Sequence, residues 1–280
     1  GFDAAIIFSD ILIVPWALDR NVRFVTGEGP KLDPMETGGE ITEAMIAGMA
    51  PRLAPVATAI DNCRAALATD KALIGFAGAP WTIITYLLEG GSSRDFGTAR
   101  RWMWENDVRF DRLLDLVSQA TADFLTLQAE AGADALMLFD SWASAVPSHL
   151  RNKVVIDPVN RITGILRDRG IETPLIGFPK GIGEGLIEYC NETELQGVGI
   201  DHGVDMRWAA ATLPSHLTLQ GNLDPLSLIA GGDAMARAID EILDATSGRP
   251  HIFNLGHGIT PETPIEHVHD LLARARGQVS

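Results

Sequence analysis

Asp10 stands between two apolar runs in AIIFSDILIVP, residues 5 to 15. A carboxylate there is costly to bury unless hydrogen-bond donors or a cation meet it. It can cap the helix that follows, or it can serve chemistry at a strand end. Other ionisable or small polar residues also stand directly after apolar runs. They are Gly78-Ala79-Pro80-Trp81, Asp140-Ser141, Pro179-Lys180-Gly181, Asp201-His202, Gly221-Asn222-Leu223-Asp224 and Gly256-His257-Gly258. The glycines beside His257 leave its ring open to a ligand or a proton, although a structural histidine is the plainer reading. Lys180 has the chemistry of a Schiff-base former, with a solvated lysine as its duller reading. Asp140-Ser141 lacks the GxSxG elbow of a hydrolase nucleophile. Tyr86, in WTIITYLLEGGSS, shares a helical spacing with Trp81 and Thr82, so it packs unless it faces the same mouth as the others. Metal chemistry is not expected. His267 and His269 are two apart and fall on different faces of a helix, and Cys63 and Cys190 form no CxxC pair.

To act together, these residues need elements that bring them to one end of a fold. Short apolar runs recur at 4 to 8, 72 to 77, 134 to 139, 174 to 178, 197 to 200, 217 to 220 and 251 to 255. Runs of this kind suit parallel strands buried on both faces. Amphipathic segments such as Arg109 to Ala131 and Asp233 to Thr246 lie between them and predict crossover helices. The expected fold is α/β, a (β/α)8 TIM barrel forming one domain over residues 1–280. Seven strand–helix units are visible where a barrel has eight, and Gly1 directly precedes a strand, so the first unit is expected upstream of this sequence. An open doubly wound sheet is the alternative, but no GxGxxG follows the first strand. In a barrel the chemistry collects on the loops after the strands. VRFVTGEGPKLDP, residues 22 to 34, reads as a hairpin inserted on that face, with Gly-Glu-Gly-Pro as its turn.

The 280 residues carry a net charge of -15, with 46% hydrophobic and 21% charged side chains. Without a Lys/Arg cluster, a nucleic-acid partner is not expected. No apolar run has the length of a membrane span, and no secretory signal is visible, so a cytoplasmic, reducing setting is expected. An anionic small molecule remains compatible, because a few cations inside a cleft can focus a local field.

FSDIL (8 to 12), GEGP (27 to 30), GAPWT with TYLLEGG (78 to 91), LFDSWA (138 to 143), LQGNLDP (219 to 225) and NLGHGITPETP (254 to 264) resemble, in order, the blocks of the uroporphyrinogen decarboxylase family. The resemblance implies a single (β/α)8 barrel, usually a homodimer. Such a barrel decarboxylates the four acetate side chains of uroporphyrinogen to give coproporphyrinogen, without metal or organic cofactor. It also implies that Asp10 holds the central pyrrole N–H groups and that Tyr86 lies near the reacting acetate. Ser141 and His257 would contact substrate carboxylates, with the backbone of Phe8 and Ser9 beside the same pocket. Two departures stand out. The family's arginine-rich loop after its first strand has no counterpart here, so these 280 residues alone are expected to bind substrate weakly. His202 replaces a tryptophan common in the family. Two rivals are a corrinoid-dependent methyltransferase, which would need a cysteine- and histidine-ligated zinc, and a tetrapyrrole-binding barrel without turnover.

Overall fold

Each of the seven short apolar runs expected as strands overlaps a parallel strand. The computed structural model describes residues 1–278 apart from 26–28, 37–39 and 106. The chain forms two compact units, residues 3–175 and residues 176–280 together with Gly1 and Phe2.

In the first unit β1 (Ala4–Ile6) leads to a small antiparallel hairpin of β2 (Arg23–Val25) and β3 (Gly29–Lys31). The expected Gly-Glu-Gly-Pro turn lies partly outside the described residues. β4 (Ala72–Gly78) and β5 (Ala135–Asp140) follow. β1 pairs with β4 from Ala4↔Ala72 to Ile6↔Ile74, and β4 with β5 from Ile74↔Ala135 to Gly78↔Phe139, both parallel. β4 and β5 are buried along most of both faces, as the continuous apolar runs require. The helix Asp107–Glu130 packs on β4 and sends in a fully buried Gln128. Its side-chain oxygen accepts the Phe76 N–H at 2.9 Å, and its amide donates to the Phe76 carbonyl at 3.0 Å, so this buried amide is matched on both sides.

β1 is shorter than the apolar run 4 to 8. Ile7 still donates its N–H to the Ile74 carbonyl, at 3.1 Å. Phe8 then leaves the ladder and stacks on Phe76, with ring centres 4.9 Å apart, while staying 73% exposed.

In the second unit β6 (Leu175–Pro179), β7 (Gly197–Gly199), β8 (Thr218–Leu223) and β9 (His251–Leu255) pair in parallel and in chain order. Two of the helices between them, Met206–Thr212 and Pro225–Ala230, begin with side-chain caps. Asp205 accepts the N–H of Arg207 at 2.7 Å, and Asp224 that of Leu226 at 2.9 Å. Asp224, one of the strand-end carboxylates, is thus a helix cap. In both units strand order follows chain order, without the reversal of a doubly wound sheet. These are seven strand–helix units of the (β/α)8 type.

Candidate active site

The first group of site residues is built around the helix Pro80–Glu89, which starts where β4 ends. Pro80 at its first turn needs no N–H partner, but the capping residue, Ala79, has no side chain with which to cap. Asp140, from the end of β5, takes that place. Its Oδ1 accepts the Thr82 hydroxyl at 2.6 Å, and it also accepts the Thr82 N–H. These bonds favour the carboxylate. Burial opposes them and wins, because Asp140 is only 3% exposed, and its pKa is pushed up to about 7. The Thr82 hydroxyl in turn accepts the Trp142 N–H at 3.3 Å, and Trp81 Nε1 donates to the Trp142 carbonyl at 2.9 Å. The loop carrying Ser141 is therefore tied to the helix on both sides of Ser141.

One helical turn beyond Thr82, on the same face, Tyr86 is half-buried where its neighbours from Pro80 to Leu88 are buried. Burial raises its pKa above the usual 10.0, and the charge of Asp10 raises it further, outweighing a hydrogen bond with Trp142. The phenol thus stays protonated, able to donate. The Trp142 indole N–H, buried without a well-aligned acceptor, lies against Tyr86, and the Trp142 ring rests on Phe96 at 4.8 Å. Asp10 is half-buried. Its Oδ1 accepts the Leu12 N–H at 2.8 Å, while the short helix Ile13–Ala17 begins with the Asp10 carbonyl accepting the Ile13 N–H. Asp10 thus closes a turn just ahead of the helix and does not cap it, since the capping residue is Leu12 and has no side-chain cap, and the other carboxylate oxygen has no hydrogen bond among the described residues. Beside it the Ser9 hydroxyl is buried without a partner. Phe8 offers one ring face to solvent and the other to Phe76.

The second group belongs to the other unit. Lys180, after β6, places its ammonium 3.2 Å from His257 Nε2, after β9. His202, after β7, also acts on His257. Its pKa is held below the usual 6.5 first by burial, then by the charges of Lys180 and His202, with Asp201 opposing. Asp201 is 9% exposed and bridges two of these loops. Its Oδ2 accepts the Gly181 N–H and its Oδ1 the Gly203 N–H, each at 2.9 Å. The buried Asn222 amide donates to the carbonyls of Asp201 at 3.0 Å and Val204 at 2.7 Å. Gly256 must be glycine, since a β-carbon would stand 2.3 Å from the His202 backbone nitrogen.

Of the residues expected from sequence, Asp10, Tyr86, Phe8, Ser9 and Ser141 all belong to the first unit, and His257 to the second. The sequence places Asp140, Lys180 and Asp201 at strand ends, with a Schiff base as the chemistry open to Lys180 and no role for the two carboxylates. The available signal was an acid at the end of a fully apolar strand, which must find donors. Trp142 gave no signal, because its partners lie some sixty residues earlier. Cys63 and Cys190 lie in the helices Ala50–Ala66 and Leu186–Glu192, and burial pushes the Cys190 thiol up to about 12. Among the described residues no three His, Cys, Asp or Glu side chains group as metal ligands would.

A family model described as Uroporphyrinogen decarboxylase (URO-D) matches residues 1–278. Proteins named uroporphyrinogen decarboxylase from Maricaulis maris and Rhizorhabdus wittichii are 46% and 47% identical to this chain. Each alignment covers 99% of the chain and 80% of the relative. One from Rhodospirillum rubrum is 45% identical over 99% of the chain and 79% of its own length. Among solved structures, a methyltransferase from Methanosarcina mazei superposes with a TM-score of 0.82, covering 100% of this chain and 82% of its own at 17% identity. A B12-independent methionine synthase from Shewanella covers 92% of this chain and 74% of its own, with a TM-score of 0.55 at 10% identity. At such identities the likeness concerns the fold alone.

Proposed function

The chain belongs to the uroporphyrinogen decarboxylase family, and from that premise we propose that Asp10 and Tyr86 form its reacting centre. It is a carboxy-lyase of tetrapyrrole synthesis. The finer reading is that it converts the four acetates of uroporphyrinogen III to methyl groups, giving coproporphyrinogen III. On this reading it works as a cytoplasmic homodimer, with residues 1–280 serving as one catalytic domain.

Losing carbon dioxide leaves an electron pair on carbon, so the reaction needs an electron sink. The substrate's own pyrrole supplies one when a ring carbon is protonated. The bond to the carboxylate then breaks, its electron pair neutralises the cationic ring, and carbon dioxide leaves. The exposed carbon takes a proton to become methyl, and the ring gives up the proton it gained. Asp10 acts on the charge that appears and disappears. One oxygen is fixed by the Leu12 N–H, leaving the other to accept pyrrole N–H groups and to balance the ring cation. Gathering several N–H groups on one carboxylate also fixes the flexible macrocycle in a bowl. Tyr86 donates to the reacting carboxylate, and Ser141 and His257 hold others, with Phe8 and Ser9 lining the wall.

The observation that carries this reading is that the charge of Asp10 acts on the half-buried Tyr86 phenol while one Asp10 oxygen has no hydrogen bond among the described residues. Chromatography of tetrapyrroles after anaerobic incubation with uroporphyrinogen tests it. We expect Asp10→Ala to lower kcat/KM at least ~100-fold, the scale of a lost charge-stabilising group. Tyr86→Phe should lower it ~10-fold, as for one hydrogen bond. An Asp10→Ala enzyme with the parent kcat/KM would end the central role given to Asp10. Uroporphyrinogen that is bound but never converted would favour a binding barrel instead.

A further inference from the structure

We propose that Lys180 and His257 form one two-point site for a substrate carboxylate, in which Lys180 supplies a fixed charge and His257 takes up a proton as the carboxylate docks. The inference rests on the reading above and adds to it a residue and a proton.

The geometry comes first. Lys180 Nζ and His257 Nε2 stand 3.2 Å apart, although they sit on loops after β6 and β9, with β7 and β8 between those strands in the sheet. Such closeness is not left to two long side chains. Asp201 ties the Lys180 loop to the His202 loop through the Gly181 and Gly203 N–H groups. Asn222 fastens that second loop to β8. The Gly256 backbone is then packed against His202, with no room for a side chain, which fixes where His257 leaves β9. Three loops are thus locked around one pair of nitrogens.

The electrostatics then follow. An ammonium can only donate, so the contact needs His257 Nε2 unprotonated, with the proton on Nδ1. The groups facing His257 are Lys180, His202 and Asp201, and its pKa is held low by burial first and by Lys180 next. With His257 neutral, Lys180 brings a positive charge to the pair and Asp201, whose oxygens are engaged by backbone N–H groups, a negative one, with His202 adding to the Lys180 effect. A carboxylate arriving between Lys180 and His257 adds a second negative charge. Protonating Nε2 restores the balance and gives the anion two charge-assisted donors instead of one. The proton comes from solvent and returns there when product leaves, so no other reactant is needed. Affinity should accordingly rise as pH falls through the range between the bound and the free pKa of His257.

The test uses the full chain, anaerobically, with coproporphyrinogen III as a ligand already stripped of its acetates, and benzenetetracarboxylate as a probe of carboxylate binding alone. Histidine ring resonances report the pKa of His257, and calorimetry in two buffers of different ionisation enthalpy reports proton uptake. In the parent chain, binding either ligand should raise the His257 pKa and take up close to one proton near neutral pH. Lys180→Met should raise the pKa of free His257 and weaken binding about 10-fold or more, whereas Lys180→Arg should stay within about three-fold. With uroporphyrinogen, Lys180→Met should raise KM far more than it lowers kcat. Parent-like binding in Lys180→Met, or a His257 pKa unmoved by ligand, overturns the site. If benzenetetracarboxylate shows the Lys180-dependent proton uptake but uroporphyrinogen is never converted, the decarboxylase reading falls while the site stands. The converse, turnover with KM unchanged in Lys180→Met, leaves the reading and removes the site. His202→Gln, which leaves Lys180 in place, should keep the proton uptake and separates a local charge effect from general loosening of the loops.

Discussion

Asp140 is buried, and among the described residues Thr82 is its hydrogen-bond partner, so its protonation is coupled to folding. Its pKa is raised from 3.8 to about 7 in the folded chain. The protonated form is therefore the one that the fold prefers. The stability it brings is complete below the unfolded value and is lost as pH rises through about 7. Urea unfolding of the parent should weaken by roughly 3 kcal/mol from about pH 5 to about pH 8 on account of this residue. Asp140→Asn keeps an oxygen for Thr82 and should remove that part of the slope. Equal slopes in the two proteins would show that Asp140 does not titrate there. Asp10 and His257 stand out in the sequence as candidates because a charge between apolar runs, or an imidazole between glycines, has few ordinary uses. Asp140 looked as informative, yet its partner, Thr82, lies 58 residues away in sequence, a pairing that no local pattern records. Tyr86 was ambiguous for a related reason. A helical spacing gives the face it shares with Thr82, but not what lies opposite.

At the scale of elements, the seven strands were legible because parallel strands covered on both faces must be apolar throughout. The first end was misread, since Phe8 continues the apolar run but stacks on Phe76 instead of pairing. Caps and cross-links explain how short elements persist. Arg249, just before β9, donates to four carbonyls at the end of the helix Met206–Thr212 and the chain after it. They belong to Ala210, Leu213, Pro214 and Leu217, at 2.8 to 3.4 Å. One guanidinium thus closes a helix end that has few other partners. It sits before a strand, not after one, where a barrel keeps stability instead of chemistry. Arg249→Met, which retains the stem, should cost about 2 kcal/mol in urea unfolding, as expected for lost charged hydrogen bonds. In the cold, kcat should stay within about two-fold of the parent, because nothing that touches substrate has moved. A variant of unchanged stability, or one stably folded but inactive, would contradict this division of labour.

For the whole molecule the question is how a chain of net charge -15 receives an anion. Uroporphyrinogen, on the proposed reading, carries eight carboxylates, so approach is opposed at long range while docking is favoured at Lys180 and His257. The two effects differ in reach. At about 0.01 M salt the screening length is ~30 Å, so most of the surface charge is felt, and at about 0.1 M it is ~10 Å. The Lys180 contact acts over a few ångströms and outlasts the first stage of screening. Hence kcat/KM at low substrate should rise with added salt up to about 0.1 M and fall beyond it, as the local pair is screened in turn. Lys180→Met should keep the rise and lose much of the fall, because it leaves the net repulsion in place but removes the fixed local charge. Measuring kcat/KM for both proteins across salt, at constant pH, separates the two terms. If the parent instead declines steadily from the lowest salt, attraction dominates at every distance. In that case the acidic exterior does not govern the encounter.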